Sequence, residues 1–322
     1  MISIDRTRVV FAGSGAFGVP TLEAIRDSKD LEVVLVVTPP DRPAGRGQQP
    51  TPTPIAEVAA RSGLARHATE DVNAPASLEA IRAAAPSALV VIAFGQKLGP
   101  AVRDAAFSIN LHASLLPKYR GAAPIQRALM GGERTTGLSV ISLAERMDAG
   151  AVHDRVEVAI DPRETAGELH DRLAALGPEA VLRVLRRFRA GEVRAEAQEE
   201  RLATRAPKIS REDAWVDFSR DAEHLRGWIH GLSPRPGCTI RIDGRTLRLV
   251  RVEAVEEVEV AALAEVDASK VAPGTLVEPG LLRCARGWLH PLEVQPAGGR
   301  VMSWEEWRRG HAVASGTRVE SP

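Results

Sequence analysis

The sequence predicts an α/β protein built as two domains, a doubly wound parallel-sheet domain followed by a smaller β-barrel. Three observations carry this. The chain has 322 residues, more than one ordinary core serves. Apolar, β-branched runs alternate with amphipathic helical stretches through its first half, the pattern of strand–helix–strand units. Composition then shifts near residues 204–210, and short strands separated by turn residues take over, which predicts a barrel. The expected domains are residues 1–206 and 207–322.

The chain is 44% hydrophobic and 26% charged, an ordinary globular composition, and its formal net charge is zero. That balance neither supports nor excludes a nucleic acid, since steering needs only a local patch. Cys238 and Cys284 fit no zinc spacing, so no metal is expected, and buried thiols in a reducing cytoplasm are. Charges at Asp5, Arg6 and Arg8 argue against a signal peptide, and no apolar run reaches the roughly 18 residues of a membrane span. The chain is expected to act as a monomer.

Taken in order, residues 8–12 read as a buried strand, Gly13-Ser14-Gly15-Ala16-Phe17-Gly18 as a turn, and residues 20–25 as a helix start. The turn is formally a dinucleotide fingerprint. That fingerprint also wants an acid at the end of the second strand. Residues 32–37 form that strand and run into Thr38-Pro39-Pro40, so a tight strand–helix turn is expected and NAD is not. Residues 38–54 hold six prolines with Arg42 and Arg46, and predict a long exposed loop. Helices are expected at 54–63 and 76–84, with a buried strand at 88–93 ending in Phe94-Gly95-Gln96. Strands follow at 136–143 and 151–160, joined by the turn Arg146-Met147-Asp148-Ala149-Gly150. One or two helices cover 165–190, with a break at Gly177-Pro178.

In the second part, Ser210 and Asp213 have capping-box spacing and residues 221–231 form a helix. Residues 239–250 form a hairpin about Asp243-Gly244, a strong type I′ turn signal. Further strands are expected at 274–277, 280–285 and 287–294. Arg235, Arg241, Arg245, Arg248 and Arg251 concentrate basic charge on the hairpin, although residues 209–322 carry 15 basic against 17 acidic residues. A solvated strand face and a nucleic-acid contact are both compatible with that cluster.

The stretch that organises the rest is 107–126. Phe107-Ser108-Ile109 leads a strand into Asn110, and side chains at i and i+2 share a face, so Asn110, His112 and Ser114 project together. Pro117 and Gly121 force an irregular loop, and Pro124 opens a helix. Polar groups on a buried strand must be satisfied or used.

N-x-H-x-S-L-L-P at 110–117 followed by R-G-A-A-P-I-Q at 120–126 resembles the folate-dependent formyltransferases. Phe11-Ala12-Gly13, the loop 38–47, Met147-Asp148-Ala149-Gly150, Ala206-Pro207-Lys208-Ile209 and Gln295-Pro296-Ala297-Gly298 extend the resemblance over nearly the whole chain. It implies a Rossmann-like formyltransferase domain with an OB-like barrel, and transfer of a formyl group from 10-formyltetrahydrofolate to the α-amino group of initiator methionyl-tRNA. It further implies Asn110, His112 and Asp148 as catalytic residues. Ser114, Leu115, Leu116, Pro117, Phe94 and Gly95 would meet folate, and Arg42, Arg46, Arg241 and Arg248 the tRNA. Arg120 is a candidate for substrate phosphate. Two departures stand out: Ser14-Gly15 where the family usually has Thr-Pro, and Arg235 where it often has Trp. On residues alone, formylation of a small amine and NAD-dependent oxidoreduction remain open as other readings.

Overall fold

The computed structural model describes residues 6–44, 49–258 and 270–321. Two compact units form, and each draws on several stretches of chain. The first comprises Met1–Gly121, Gly137–Val158 and His170–Arg205, and the second Ala122–Thr136, Ala159–Leu169 and Ala206–Pro322. The chain therefore crosses between units at 205/206 and at four earlier places.

In the first unit, β1 (Thr7–Gly13), α1 (Val19–Asp27) and β2 (Leu31–Thr38) open a strand–helix–strand unit. A two-stranded ribbon follows, β3 (Arg42–Ala44) against β4 (Gln49–Thr51), with Arg42 opposite Thr51. The proline-rich loop thus contains paired backbone that its composition did not announce. Next come α2 (Pro54–Arg61), β5 (Arg66–Ala68), α3 (Pro75–Ala83), β6 (Ala88–Ile92), α4 (Pro100–Arg103), β7 (Phe107–His112) and β8 (Arg120–Gly121). Then α5 (Pro124–Met130), β9 (Thr135–Ser142), β10 (Val152–Ala159), α6 (Ala166–Arg189) and β11 (Arg205–Ala206) complete the first two-thirds.

The sheet order is β10-β9-β7-β6-β1-β2-β5, parallel from β7 through β5, with β9 antiparallel to β7. All five residues of β6 are buried, as a strand covered on both faces requires. One face packs Val10, Leu35, Leu89 and Val91 against Ile81 of α3 and Val102 of α4. On the other, a Cβ at Gly13 would lie 2.9 Å from Phe11 and Ile92 atoms, and Gly18 packs against Phe11 and Ile55. Those glycines are explained by close helix–strand packing. Strand order reverses between β1 and β6, the place where open α/β sheets bind ligands. The expected break at Gly177-Pro178 does not occur: α6 is one 24-residue helix with Pro178 inside it. Gly177 is accounted for by close approach, since a Cβ there would lie 2.8 Å from Leu111 and 3.0 Å from Thr21.

In the second unit, α7 (Ala222–Leu232) precedes β12 (Cys238–Ile242), β13 (Arg245–Val255), β14 (Leu276–Val277), β15 (Leu281–Arg283), β16 (Trp288–Pro296), β17 (Met302–Ser303), α8 (Trp304–Gly310) and β18 (Val319–Glu320). Asp243 and Gly244 both have positive φ, +48° and +72°, as a type I′ turn demands. The antiparallel order is β14-β15-β16-β13-β12-β18. Val319 N–H bonds to the Gly274 carbonyl at 2.7 Å and Leu276 N–H to that of Thr317 at 2.9 Å, so the edges meet and the sheet nearly closes. Its interior holds Ile240, Leu247, Leu249, Trp304 and Trp307. Ser210 and Asp213 bond reciprocally, N–H to carboxylate at 2.7 Å and N–H to hydroxyl at 3.4 Å, as the capping spacing predicts. Helix α5 packs on α7 within this unit: a Cβ at Gly227 would lie 2.5 Å from the Leu129 carbonyl oxygen. Arg127 anchors α5 with a two-pronged bond to Asp213, 3.1 and 2.9 Å. Cys238 and Cys284 are buried free thiols, and burial pushes both up to about 12. No described helix is long and apolar enough to cross a membrane.

His230 on α7 is buried, and its Nε2 accepts the Val252 N–H at 3.0 Å. Burial, helped by Arg226 and Arg251 and opposed by Glu168, lowers it to about 4. The unfolded imidazole protonates near pH 6.5 and the folded one only near 4, so the unfolded chain binds more protons in between. Stability is full above pH 6.5 and falls by about 3 kcal/mol as pH drops through 4. All five tryptophans (215, 228, 288, 304, 307) lie in the second unit, so their fluorescence in urea titrations reads this loss. The same midpoint at pH 7 and pH 4.5 would contradict it.

Candidate active site

Strand β7 sets the site. Asn110 lies beside Val91 of β6, and His112 beside Ser139 of β9. Asn110 is half-buried and its side-chain amide has no hydrogen-bond partner among the described residues. His112 is 6% exposed. Its Nε2 lies 2.9 Å from the Tyr119 carbonyl oxygen. A carbonyl only accepts, so Nε2 carries the hydrogen and Nδ1 is the basic nitrogen. Nδ1 stands 3.6 Å from Asp148 Oδ2.

Asp148 sits in the β9–β10 turn with φ +55°, a conformation that needs support in any residue with a side chain. Its carboxylate does not cap its own turn. Oδ2 instead accepts the Gly121 N–H at 2.9 Å, from 27 residues away. Gly150 closes the turn against β9, and a Cβ there would stand 1.7 Å from the Ser142 carbonyl oxygen. No other residue type fits that position. Gln198 donates to the carbonyls of Asp148 (2.8 Å) and Gly150 (2.7 Å).

The loop expected to meet folate divides in two. Ser114 is fully buried, and its hydroxyl donates to the Lys118 carbonyl at 2.7 Å. Leu116 packs with Ile141 and Val152. Ser139 clamps the loop, donating to the Ser114 carbonyl and accepting the Leu116 N–H. Leu115 and Pro117 stay half-buried. Phe94 lies in the apolar core with Val10 and Leu89, so its ring is not open to a ligand, while Gly95 is exposed. Arg120 is corrected: it is 9% exposed and bonded to Gln198 and Glu200, so it is not free for phosphate. Arg146 first, and Arg120 after it, hold the Glu200 carboxyl below its ordinary range.

Arg42 is exposed and, among the described residues, pairs with exposed Glu70 at 3.0 Å. Arg46 lies outside the described residues. On the hairpin of the second unit, Arg241 is exposed, Arg248 is half-buried with a bond to Gln295 at 3.1 Å, Arg245 pairs with Asp243, and Arg251 with Glu168 and Glu293. That hairpin is therefore less cationic than its arginine count suggests. Three contributors escaped the sequence reading. Gln198 and Ser139 stand in no motif, and Tyr119 acts through a backbone carbonyl that any residue supplies.

A half-buried free amide, an imidazole with one fixed tautomer and a carboxylate beside its basic nitrogen make a constellation for acyl-type transfer to an amine. Comparison with known proteins agrees. The family model described as "Formyl transferase" matches residues 6–185, and "Formyl transferase, C-terminal domain" matches 208–312. A methionyl-tRNA formyltransferase of Heliobacterium modesticaldum is 39% identical, covering 97% of this chain and 99% of its own. That of Thermus thermophilus is 40% identical, with 97% and 99% covered. A solved methionyl-tRNA formyltransferase from Clostridium thermocellum shares the fold at TM-score 0.55 and 14% identity, covering 77% of this chain and 93% of that one. The chain belongs to the methionyl-tRNA formyltransferase family of two-domain formyl transferases.

Replacing Gly150 by Ala forces the turn away from β9. The expected cost is about 3 kcal/mol or more, with Asp148 displaced. Thermal unfolding and formyl transfer, measured together, check both halves. A variant as stable and active as the parent would show that the turn has room.

Proposed function

We infer that the chain transfers the formyl group of 10-formyltetrahydrofolate to the α-amino group of initiator methionyl-tRNA. The observation that carries this is the free Asn110 amide beside a His112 whose basic nitrogen faces Asp148. Family membership supports both donor and acceptor. The site's residues fit such a donor, with an unpartnered amide for a carbonyl oxygen and half-buried Leu115 and Pro117 to border an apolar ring. The donor supplies an activated formyl carbon. Asn110 donates its N–H to the oxygen that gains charge as the amine attacks. His112 Nδ1 takes the proton the amine gives up and returns it to the donor nitrogen as that nitrogen's bond to the formyl carbon breaks, and the Asp148 carboxylate balances the imidazolium in between. Gly121 N–H holds that carboxylate in place. No nucleophilic side chain is needed, since the substrate amine attacks directly.

Arg42 serves tRNA readily, because an exposed ion pair such as Arg42–Glu70 is worth little and exchanges easily for phosphate. Arg46, Arg241 and Arg248 take the same role, with residues 1–206 supplying chemistry and 207–322 binding tRNA. The chain acts as a monomer in the cytoplasm, in keeping with its two free thiols.

Formyl transfer to charged methionyl-tRNA, with uncharged tRNA and free methionine as controls, tests the reading. Transfer to charged tRNA alone is expected, and transfer to small amines alone would overturn the acceptor. Asn110→Ala should lower kcat by about 100- to 1,000-fold. His112→Ala should abolish transfer with the fold retained, as circular dichroism checks. Arg42→Ala should raise KM for charged tRNA while leaving KM for folate unchanged. Equal loss of both would mean the ribbon shapes the folate site.

A further inference from the structure

Asp148 and Tyr119 both hold left-handed backbone, φ +55° and +62°. Each such residue costs about 1 kcal/mol or more, so the surroundings must impose it. Both belong to irregular loops, and both loops supply an atom to His112: the Asp148 carboxylate on one side, the Tyr119 carbonyl on the other. The Gln198 side chain is bonded to both loops. Gln198 Nε2 donates to the Asp148 and Gly150 carbonyls at 2.8 and 2.7 Å. Its Oε1 accepts from Arg120 Nε at 3.0 Å and from the terminal nitrogen on the same edge of that guanidinium at 2.9 Å. Two donors and two acceptor positions are all used, so the amide has a single orientation, oxygen toward the arginine. Arg120 lies between Tyr119 and Gly121, the two residues whose backbone groups bond His112 and Asp148. Its other terminal nitrogen is held by both Glu200 oxygens, at 3.1 and 3.0 Å.

The chain around Gln198 runs along the same loop. Thr204 accepts the Tyr119 N–H on its hydroxyl at 2.8 Å and the Arg120 N–H on its carbonyl at 2.9 Å. Glu196 exchanges backbone bonds with Val152, just past Gly150, at 2.8 and 2.9 Å. Backbone bonds therefore place this segment; within it Gln198 couples the two loops at the Asp148 and Gly150 backbone, while Glu200 bridges them only farther out, through the guanidinium groups of Arg120 and Arg146.

We propose that Gln198 is a positioning residue for the transfer reaction: through Asp148, Gly150 and Arg120 it fixes the carboxylate of Asp148 beside His112 Nδ1. It touches neither substrate nor the reacting atoms. Groups that orient catalytic ligands in this way typically change activity 10- to 100-fold when lost. The inference rests on the formyl-transfer reading for its rate effect, but its geometric half can be read without substrate.

The test uses the full chain with Gln198→Met, which keeps length and volume without the hydrogen bonds, and Gln198→Glu, which keeps the acceptor side toward Arg120 but cannot donate at neutral pH. The expected result is a kcat lowered about 10- to 100-fold in both variants, with KM for folate and for charged tRNA within about threefold. The second readout is the Gly121 amide in nitrogen–proton correlation spectra of the unliganded protein. In the parent its bond to the Asp148 carboxylate should give a low-field, slowly exchanging proton. Both variants should move it upfield and speed its exchange, while core amides of β6 stay protected. An unmoved Gly121 amide overturns the proposal whatever the activity. So does a raised KM at unchanged kcat, which would mark a binding role. So does global loss of protection in both variants, which would mark a folding role. A parent that transfers no formyl group to tRNA overturns the functional reading instead, and leaves the amide measurement to judge the geometry.

Discussion

Everything in the site depends on where one carboxylate is held. Asp148 could satisfy itself within its own turn, as aspartates in such turns often do. Instead its Oδ2 is drawn 27 residues back to the Gly121 N–H, which brings it within 3.6 Å of His112. The imidazole is committed on its other side by the Tyr119 carbonyl, so the basic nitrogen and the carboxylate face one another. That geometry is built from backbone groups, two left-handed residues and a glycine that cannot carry a Cβ. It has little freedom to drift, and preorganised charge of this kind costs nothing to reorganise during the reaction.

The fold supplies the place and the loops supply the chemistry. A largely buried strand, β7, delivers Asn110 and His112 one place beyond β6, the strand at the point where strand order reverses. Beyond the strand, the chain turns so that polar groups are consumed in holding it: the Ser114 hydroxyl on Lys118, Ser139 on Ser114 and Leu116, Arg120 on Gln198 and Glu200. Asn110 is the exception, an amide at the strand end with no hydrogen-bond partner among the described residues. At a half-buried strand end such an amide keeps its donors open to a ligand.

The strands and helices were legible because their signals are local. Alternation of apolar runs with amphipathic stretches marked the doubly wound sheet, and Asp243-Gly244 marked the hairpin turn, where both residues do take positive φ. Asn110, His112 and Asp148 were legible as a pattern. What escaped was what depends on distant partners. The ribbon at 42–51 is hidden by prolines that signal loop, although Pro43 and Pro50 sit opposite one another within it. Gly177-Pro178 reads as a break, but close packing against Leu111 and Thr21 needs that glycine inside a continuous helix. Arg120 reads as a free cation until Gln198 and Glu200, about 80 residues away, are brought to it. The roles of Ser114 and Phe94 could not be told from sequence either, since burial decides whether a polar or aromatic side chain supports a loop or meets a ligand.

The interleaving of the two units bears on modularity. The barrel-containing unit takes in α5 and the stretch Ala159–Leu169 from well upstream of 206. Arg127 on α5 grips Asp213, and the Leu129 carbonyl rests where a side chain on residue 227 would otherwise stand. Arg163 and Glu168 from the second stretch pair with Glu253 and Arg251 on β13. A polypeptide starting at 207 would thus leave α7 stripped of its helical cover and β13 of two ionic partners. A C-terminal segment grafted onto another chain by itself would arrive without the helix and the ionic partners that complete its unit here.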